Sequence, residues 1–429
     1  MATRTQEPST VQTVQRERAA HMDVRQLAPA TGLLEYWYPA IEDRKVNGKP
    51  VGLKVCGQQI VLFRGKDKQV KALSNVCPHR GGSLMHGDCH FEGTISCPYH
   101  GWTFDGDGNV LAVLPEGPDS QVPGKVMQRS YPTRTLRGMV FVWMGEDEPA
   151  PIEEDVPPEF FTDEGQMLYA WEVWPVNWRV AVENAGDAHV PYVHRDSALV
   201  LLNPMAQTGP RRGRTLLIND RSAKNAPPAP GAGRMGRAPY QWHFEELGWK
   251  WPLHTWRRTW TWASRWAGQR RYASPPIDTT EEWGTGTGAM HHLPAMVRLD
   301  YHTHMYTRVN IPIDADNTRQ IYWHFTKASN WFARIREKLL FHTWHRWAMY
   351  TDFSVQDFNA AGPQRYDTPE YLSSTDARLV MWRRLLTRAR GLDSEIRDVG
   401  VTPAERASLD LQADVGMVPD VWTDDAVDR

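Results

Sequence analysis

Cysteine is scarce, at 4 in 429 residues. That is too few for a disulfide scaffold, which leaves metal ligation or plain burial as the work of a thiol in a reducing compartment. Neither sign of charge dominates. With 49 Lys+Arg against 51 Asp+Glu the formal net charge is -2, so there is no basic field to draw nucleic acid or anionic lipid, and neither is an expected partner. The N-terminal stretch from Met1-Ala2-Thr3-Arg4 is polar and charged. It offers neither a signal peptide nor a spanning helix, which sets a cytoplasmic location and no membrane as the expectation. No Gly-x-Gly-x-x-Gly stands in a strand-turn-helix setting, so no nicotinamide- or flavin-binding fingerprint is read in this chain. What is abundant is tryptophan, at 20, read first as large side chains filling cores. The length exceeds what one core serves, and the balance of 41% hydrophobic and 23% charged residues is that of a globular protein, so two domains are expected.

Turn signals and periodicity divide the chain. Residues 1–30 read as a flexible arm. Short apolar runs then alternate with turns: Gly52-Leu53-Lys54-Val55, Gln59-Ile60-Val61-Leu62-Phe63, Val70-Lys71-Ala72-Leu73, Thr94-Ile95-Ser96, Val110-Leu111-Ala112-Val113 and Met139-Val140-Phe141-Val142-Trp143-Met144. Asp105-Gly106-Asp107-Gly108-Asn109 supplies residues that tolerate the positive φ of a hairpin turn. These features predict an all-β domain over 31–155, ending in an acidic, proline-bearing stretch at 145–158 that is expected to be a solvated connection.

A mixed domain of helices and antiparallel strands is predicted over 156–391, giving an α+β fold class. Its expected elements begin with a strand at Ala170-Trp171-Glu172-Val173-Trp174, a helix around Asn177 to Glu183, and a long loop over 205–240. Strands within 301–310 and 321–325 follow. A helix capped by Ser329 or Asn330 then carries Trp331, Ile335 and Leu339. A last helix carries Leu379, Val380, Trp382, Leu385 and Leu386 and stops at Gly391. Residues 392–429 read as an acidic tail.

Two loops carry metal chemistry. Cys77-Pro78-His79-Arg80-Gly81 and Cys97-Pro98-Tyr99-His100-Gly101-Trp102 each offer one thiolate and one imidazole. Two sulfur and two nitrogen donors fit tetrahedral zinc, or a two-iron cluster with both cysteines on one iron and both histidines on the other. The single residue between Cys77 and His79 is uncommon for a zinc finger, and the Pro and Gly neighbours favour tight turns whose amides can point at cluster sulfides. Cys56 and Cys89 read as ordinary buried thiols.

A second group stands downstream, in Glu183-Asn184-Ala185-Gly186-Asp187-Ala188-His189-Val190-Pro191-Tyr192-Val193-His194. On an ideal helix a separation of five turns two side chains about 140° apart. One metal could take both His189 and His194 only if the helix is irregular, and Pro191 between them makes a bulge or helix end reasonable. Two imidazoles and a carboxylate on one face of ferrous iron would leave positions open for oxygen and substrate.

The pair of loops resembles the Rieske signature, Cys-x-His followed by Cys-x-x-His. Over about residues 33 to 390 the layout resembles the terminal oxygenase (alpha) subunits of Rieske non-heme iron ring-hydroxylating oxygenases. The flavour is that of the carbazole-dioxygenase-like and 2-oxoquinoline-monooxygenase-like branch, carried by Asn177-Trp178-Arg179, Glu183-Asn184, His194-Arg195-Asp196-Ser197 and Ile311-Pro312-Ile313-Asp314. The resemblance implies a [2Fe-2S] cluster on Cys77, His79, Cys97 and His100, and a mononuclear Fe(II) on His189, His194 and a carboxylate from a C-terminal helix. In Phe353-Ser354-Val355-Gln356-Asp357-Phe358 that carboxylate is Asp357, with Asp352 as the alternative.

Asp187 resembles the family aspartate that joins a cluster histidine of the neighbouring chain to an iron-ligating histidine, although only Ala188 separates it from His189, where relatives commonly have two residues. A head-to-tail homotrimer follows from that resemblance. So do electrons from NAD(P)H through a separate reductase and a ferredoxin, O2 as co-substrate, and an aromatic or heteroaromatic substrate. Met290, Trp323, Phe325 and Phe353 are candidates for pocket walls, with core packing as their ordinary role. Dioxygenation, monooxygenation and O- or N-demethylation all remain open. Two readings of other classes are an electron carrier without oxygenase activity and a zinc-stapled binding protein.

Overall fold

The computed structural model describes residues 28–185, 189, 193–194, 197–198, 215–217, 219–225, 283, 290–300, 304–328, 330–364, 370–372 and 376–392. Residues 1–27 of the arm, the tail beyond 392, Asp187 and the arginines at 211, 212 and 214 lie outside the described residues. Two compact units divide the chain. One takes residues 30–178 and 308–334, and the other takes 179–307 and 335 onward.

The first unit is built of short strands: β1 (Trp37–Glu42), β2 (Val51–Val55), β3 (Gln58–Arg64), β4 (Val70–Ser74), β5 (Ile95–Ser96), β6 (Trp102–Phe104), β7 (Val110–Val113), β8 (Ser130–Tyr131), β9 (Thr133–Leu136) and β10 (Met139–Trp143). They pair antiparallel as β1-β10-β9, β2-β3-β4-β8 and β5-β6-β7. β-Branched and aromatic runs are buried on both faces, as in β10, where all of Met139 to Trp143 are buried. Turn chemistry sets the register. Cys56 (φ 48°) and Gly57 (φ 77°) form a two-residue turn with positive φ at both positions, which matches the twist between β2 and β3. At the Asp105 turn the Asp105 carboxylate accepts the N–H groups of Asp107 and Asn109, each at 2.9 Å. One core joins Val61, Phe63, Leu73, Leu84, Ile95, Phe104 and Val110 to both Cys77 and Cys97.

The acidic stretch expected to be a solvated connection is solvated only in part: Glu146, Asp147, Glu148 and Glu153 are exposed, but the segment is anchored by buried residues. Ile152 and Val156 are buried, and the buried Asp155 carboxylate accepts the N–H of Trp37 at 3.0 Å. Composition alone does not reveal a carboxylate that ties down a distant strand. The Arg137 guanidinium then pins the chain beyond it, donating to the carbonyls of Glu159, Thr162, Glu164 and Gly165. It leads into β11 (Gln166–Trp174).

The remaining strands are β12 (Thr215–Leu217), β13 (Ser222–Asn225), β14 (Met290–His292), β15 (Met296–Asp300), β16 (Met305–Pro312) and β17 (Thr318–Thr326). β11 runs antiparallel to β17 from Gln166↔Thr326 to Trp174↔Thr318. In the second unit β12 pairs with β13, β13 with β14 and β14 with β15, all antiparallel. The loop expected over 205–240 therefore contains a hairpin, turned at Asn219, whose side-chain oxygen accepts the N–H groups of Arg221 and Ser222. Strands of three and four residues are too short for periodicity to register.

Helix α1 (Trp178–Asn184) stands where a helix was expected. Asn330 is the cap of α2 (Trp331–Leu340), its Oδ1 accepting the Ala333 N–H at 2.9 Å. The chain then winds as a π-helix over Phe341–Phe353, continues as α3 (Ser354–Ala361), and later forms α4 (Ala377–Leu386). Gly391 (φ 75°) follows α4 as expected of a stop. Among the described residues no helix is long and apolar enough to cross a membrane.

Candidate metal centres

The two signature loops are built alike. Cys77 N–H donates to Gly82 O at 2.8 Å and Gly81 N–H to Cys77 O at 2.9 Å. In the other loop Cys97 N–H donates to Trp102 O at 2.8 Å and Gly101 N–H to Cys97 O at 3.0 Å. Gly81 (φ 73°) and Gly101 (φ 63°) supply the left-handed residue that closes each turn. Both thiols are buried in the core, at 2% and 4% exposure, while His79 is exposed and His100 half-buried. The imidazole centroids lie 4.6 Å apart, and His79 stacks on Trp102 at 4.8 Å and 5°. Burial pushes the Cys77 thiol up to about 11, with the nearby Cys97 adding to it. Two inward sulfurs and two outward imidazoles suit a two-iron cluster. A Cβ on Gly82 would sit 3.1 Å from Cys97 Sγ, so this glycine keeps the space beside the sulfur open.

In the second unit the residues predicted from 189 to 357 meet. His189 Nε2 lies 2.9 Å, and His194 Nε2 2.8 Å, from Asp357 Oδ1. The candidate ligand atoms of the three residues all lie within 4.8 Å of one another. Asp357 is 3% exposed and His194 is fully buried. Burial acts to raise the Asp357 carboxyl, but the hydrogen bonds from His189 and His194 outweigh it and hold the group well below the usual carboxylate range. A buried anion flanked by two imidazole nitrogens fits a divalent first-row ion.

Asp352 is spent elsewhere, accepting the Ala198 N–H at 2.8 Å. Helix α1 ends at Asn184, before both histidines, which sit in turns. Val193 N–H bonds to His189 O at 2.9 Å. His189 Nδ1 is buried and has no hydrogen-bond partner among the described residues.

Two family models match the chain. Residues 36–131 match the model of the Rieske [2Fe-2S] domain, and residues 143–211 match the model of the homotrimeric ring hydroxylase. The chain thus carries a Rieske domain followed by a stretch similar to the ring hydroxylases. It is 32% identical over 197 residues to the terminal oxygenase component of carbazole 1,9a-dioxygenase from Metapseudomonas resinovorans, covering 44% of this chain and 51% of the relative. To the phthalate 4,5-dioxygenase oxygenase subunit of Pseudomonas putida it is 35% identical over 164 residues, 37% of each chain. In sequence the chain thus spans about half the length, or less, of the curated relatives it matches. In structure the likeness is longer. The terminal oxygenase of carbazole 1,9a-dioxygenase from Nocardioides aromaticivorans IC177 superposes with a TM-score of 0.66 at 25% identity, over 86% of this chain and 98% of that one. The oxygenase in its reduced complex with ferredoxin shares the fold, with a TM-score of 0.65 at 21% identity over 91% and 98%.

Two residues beside the second centre, Asn184 and Gln356, were not singled out as site residues by sequence. Asn184, the last residue of α1, donates to Asp357 Oδ1 at 3.1 Å. Gln356 Oε1 stands 3.2 Å from His194 Nδ1. Phe353, named as a pocket wall, stacks on His194 with centroids 3.5 Å apart at 14°. The other aromatic wall candidates are core: Trp323 packs against Phe141 and Phe160, and Phe325 lies beneath the Arg137 guanidinium. The one available signal was adjacency of Phe353 and Gln356 to the expected ligand.

Proposed function

We propose that this chain is the terminal oxygenase component of a multicomponent system that hydroxylates an aromatic or heteroaromatic substrate with O2. In this reading Cys77, His79, Cys97 and His100 hold the [2Fe-2S] cluster, and His189, His194 and Asp357 hold a mononuclear Fe(II). The observation that carries it is the convergence of two imidazole Nε2 atoms on one buried carboxylate, 2.9 and 2.8 Å from its Oδ1. When bound, the Fe(II) supplies O2 activation and the cluster supplies electrons.

The chain's own residues do the rest. The buried thiols and outward imidazoles place the cluster's histidine side toward solvent, where a donor can reach it. Asn184 holds Asp357 from one side, and Phe353 fixes the plane of the His194 ring. Electrons come from NAD(P)H through a separate reductase, with a ferredoxin as the direct donor. The chains assemble as a homotrimer in which Asp187 joins His189 to a cluster histidine of the neighbour. The buried, unmatched Nδ1 of His189, two residues along, supports that role for Asp187. The absence of a membrane-crossing helix among the described residues accords with a cytoplasmic location.

The test is turnover of aromatic and heteroaromatic compounds with a supplied reductase and ferredoxin under labelled O2, following substrate-dependent O2 uptake and label in the product. Two labelled atoms mark a dioxygenase, one marks a monooxygenase, and loss of a methyl group as aldehyde marks a demethylase. Asp357→Asn is expected to abolish product while the cluster absorbance stays as in the wild type. An Asp357→Asn variant that still turns over would sink the assignment.

A further inference from the structure

The orientation of His194 is set by a side chain that the ligand assignment does not include. The His194 ring is fully buried, so neither nitrogen has water to fall back on. Its face lies on Phe353, its Nε2 points at Asp357 Oδ1 at 2.8 Å, and its Nδ1 stands 3.2 Å from Gln356 Oε1. Consecutive helical residues project about 100° apart, so Gln356 and Asp357 straddle the ring from one turn of α3.

Both facing oxygens, Gln356 Oε1 and Asp357 Oδ1, only accept; with a metal on Nε2 that nitrogen gives its lone pair, so the one hydrogen of the neutral ring stands on Nδ1 and is donated to Gln356 Oε1. We infer that Gln356 is a positioning residue that locks His194 in the Nδ1–H tautomer and so presents Nε2 as a ready ligand. This inference rests on the proposed iron site. His189 and His194 are thereby held by different means, since the partner of His189 Nδ1 is not Gln356 but, in the proposed trimer, Asp187.

The experiment uses full-length protein with its cluster in place. Fe(II) affinity is measured by chelator competition, and Co(II) substituted at the mononuclear site is followed by its visible absorption bands. Gln356→Leu removes the acceptor and is expected to weaken Fe(II) binding about 10- to 100-fold and to shift the Co(II) bands, with the cluster spectrum unchanged. Gln356→Glu keeps an acceptor at the same reach and is expected to restore affinity and bands close to wild type. Should the Leu variant not fold, Gln356→Met makes the same comparison.

The inference is overturned if the acceptor-free variant binds Fe(II) as tightly as wild type with the same Co(II) bands, or if Gln356→Glu loses as much as Gln356→Leu. Failure of the underlying reading looks different. In that case His194→Ala and Asp357→Ala would bind Fe(II) no worse than wild type.

Discussion

Gly82 illustrates how little room the cluster loops leave at the scale of one residue. Its hydrogen stands where a methyl group would press to 3.1 Å from Cys97 Sγ, and a sulfur tied to iron cannot move aside. Gly82→Ala is therefore expected to lower the amount of cluster per chain in purified protein, read by visible absorbance and acid-labile sulfide, without changing Fe(II) affinity at the mononuclear site. At the same scale the cluster ligands were legible in the sequence because each Cys–His pair is local. One turn closes each pair, through Gly81 or Gly101. Gln356 was not legible, because a glutamine beside a carboxylate has no distinctive pattern until a histidine 162 residues away lands on it.

Helices α1 and α4 are joined by charge. Arg383 of α4 donates from Nε and Nη2 to the Glu183 carboxylate at 2.7 and 2.9 Å, and from Nη1 and Nη2 to Glu370 at 2.6 and 2.8 Å. Arg383 and Glu183 are buried. Glu183 precedes Asn184, which touches Asp357, so this ion group anchors the end of α1 beside the iron position. Removing one partner of a buried ion group strands the other charges. Arg383→Met is expected to cost about 3–5 kcal/mol in urea unfolding, with weakened Fe(II) binding alongside. Of the helices, α4 was visible as apolar periodicity with a stop and α1 was expected, while α3 entered only through the resemblance.

The π-winding between α2 and α3 was not visible. It ends at Phe353, so Asp352, on its last turn, reaches Ala198 N–H, while Asp357, in the first turn of α3, reaches His194. Nothing in local propensity distinguishes it from an α-helix, since both use the same residues and the same dihedral region.

The pH response belongs to the whole molecule. His304 and His345 face each other with centroids 4.9 Å apart, and burial holds both below the ordinary histidine value, His345 at about 4. Their mutual repulsion when charged lowers His304 further. Both are thus neutral in the folded state. The unfolded chain takes up protons first, near its value of about 6.5. Stability is expected to be fully present above about pH 6.5 and to fall as pH drops toward about 4, where His345 titrates in the fold. Urea midpoints across that range check it, and His345→Gln should flatten the slope.

If the proposed trimer passes electrons between neighbours, a Cys97→Ser chain without cluster and an Asp357→Ala chain without mononuclear iron should each be inactive alone. Trimers of the two mixed should regain part of the activity, because one chain's intact cluster can serve the other chain's intact iron. Mixed trimers as inactive as their parents would exclude transfer between chains.

By itself the sequence determined the two Cys–His loops of the Rieske domain and the spacing of His189 and His194. Each of those is written within one loop or one short segment, where covalent connection and turn chemistry decide what faces what. Only the tertiary structure decided which carboxylate meets the two histidines of the proposed iron site, because Asp357 meets His194 across 163 residues of chain. It also decided that Asp155, within the acidic stretch at 145–158, ties down the strand at Trp37, and that Gln356 stands against the His194 ring. Contacts of that kind depend on how buried surfaces fit after the chain has closed on itself, and no local pattern of residue types encodes them.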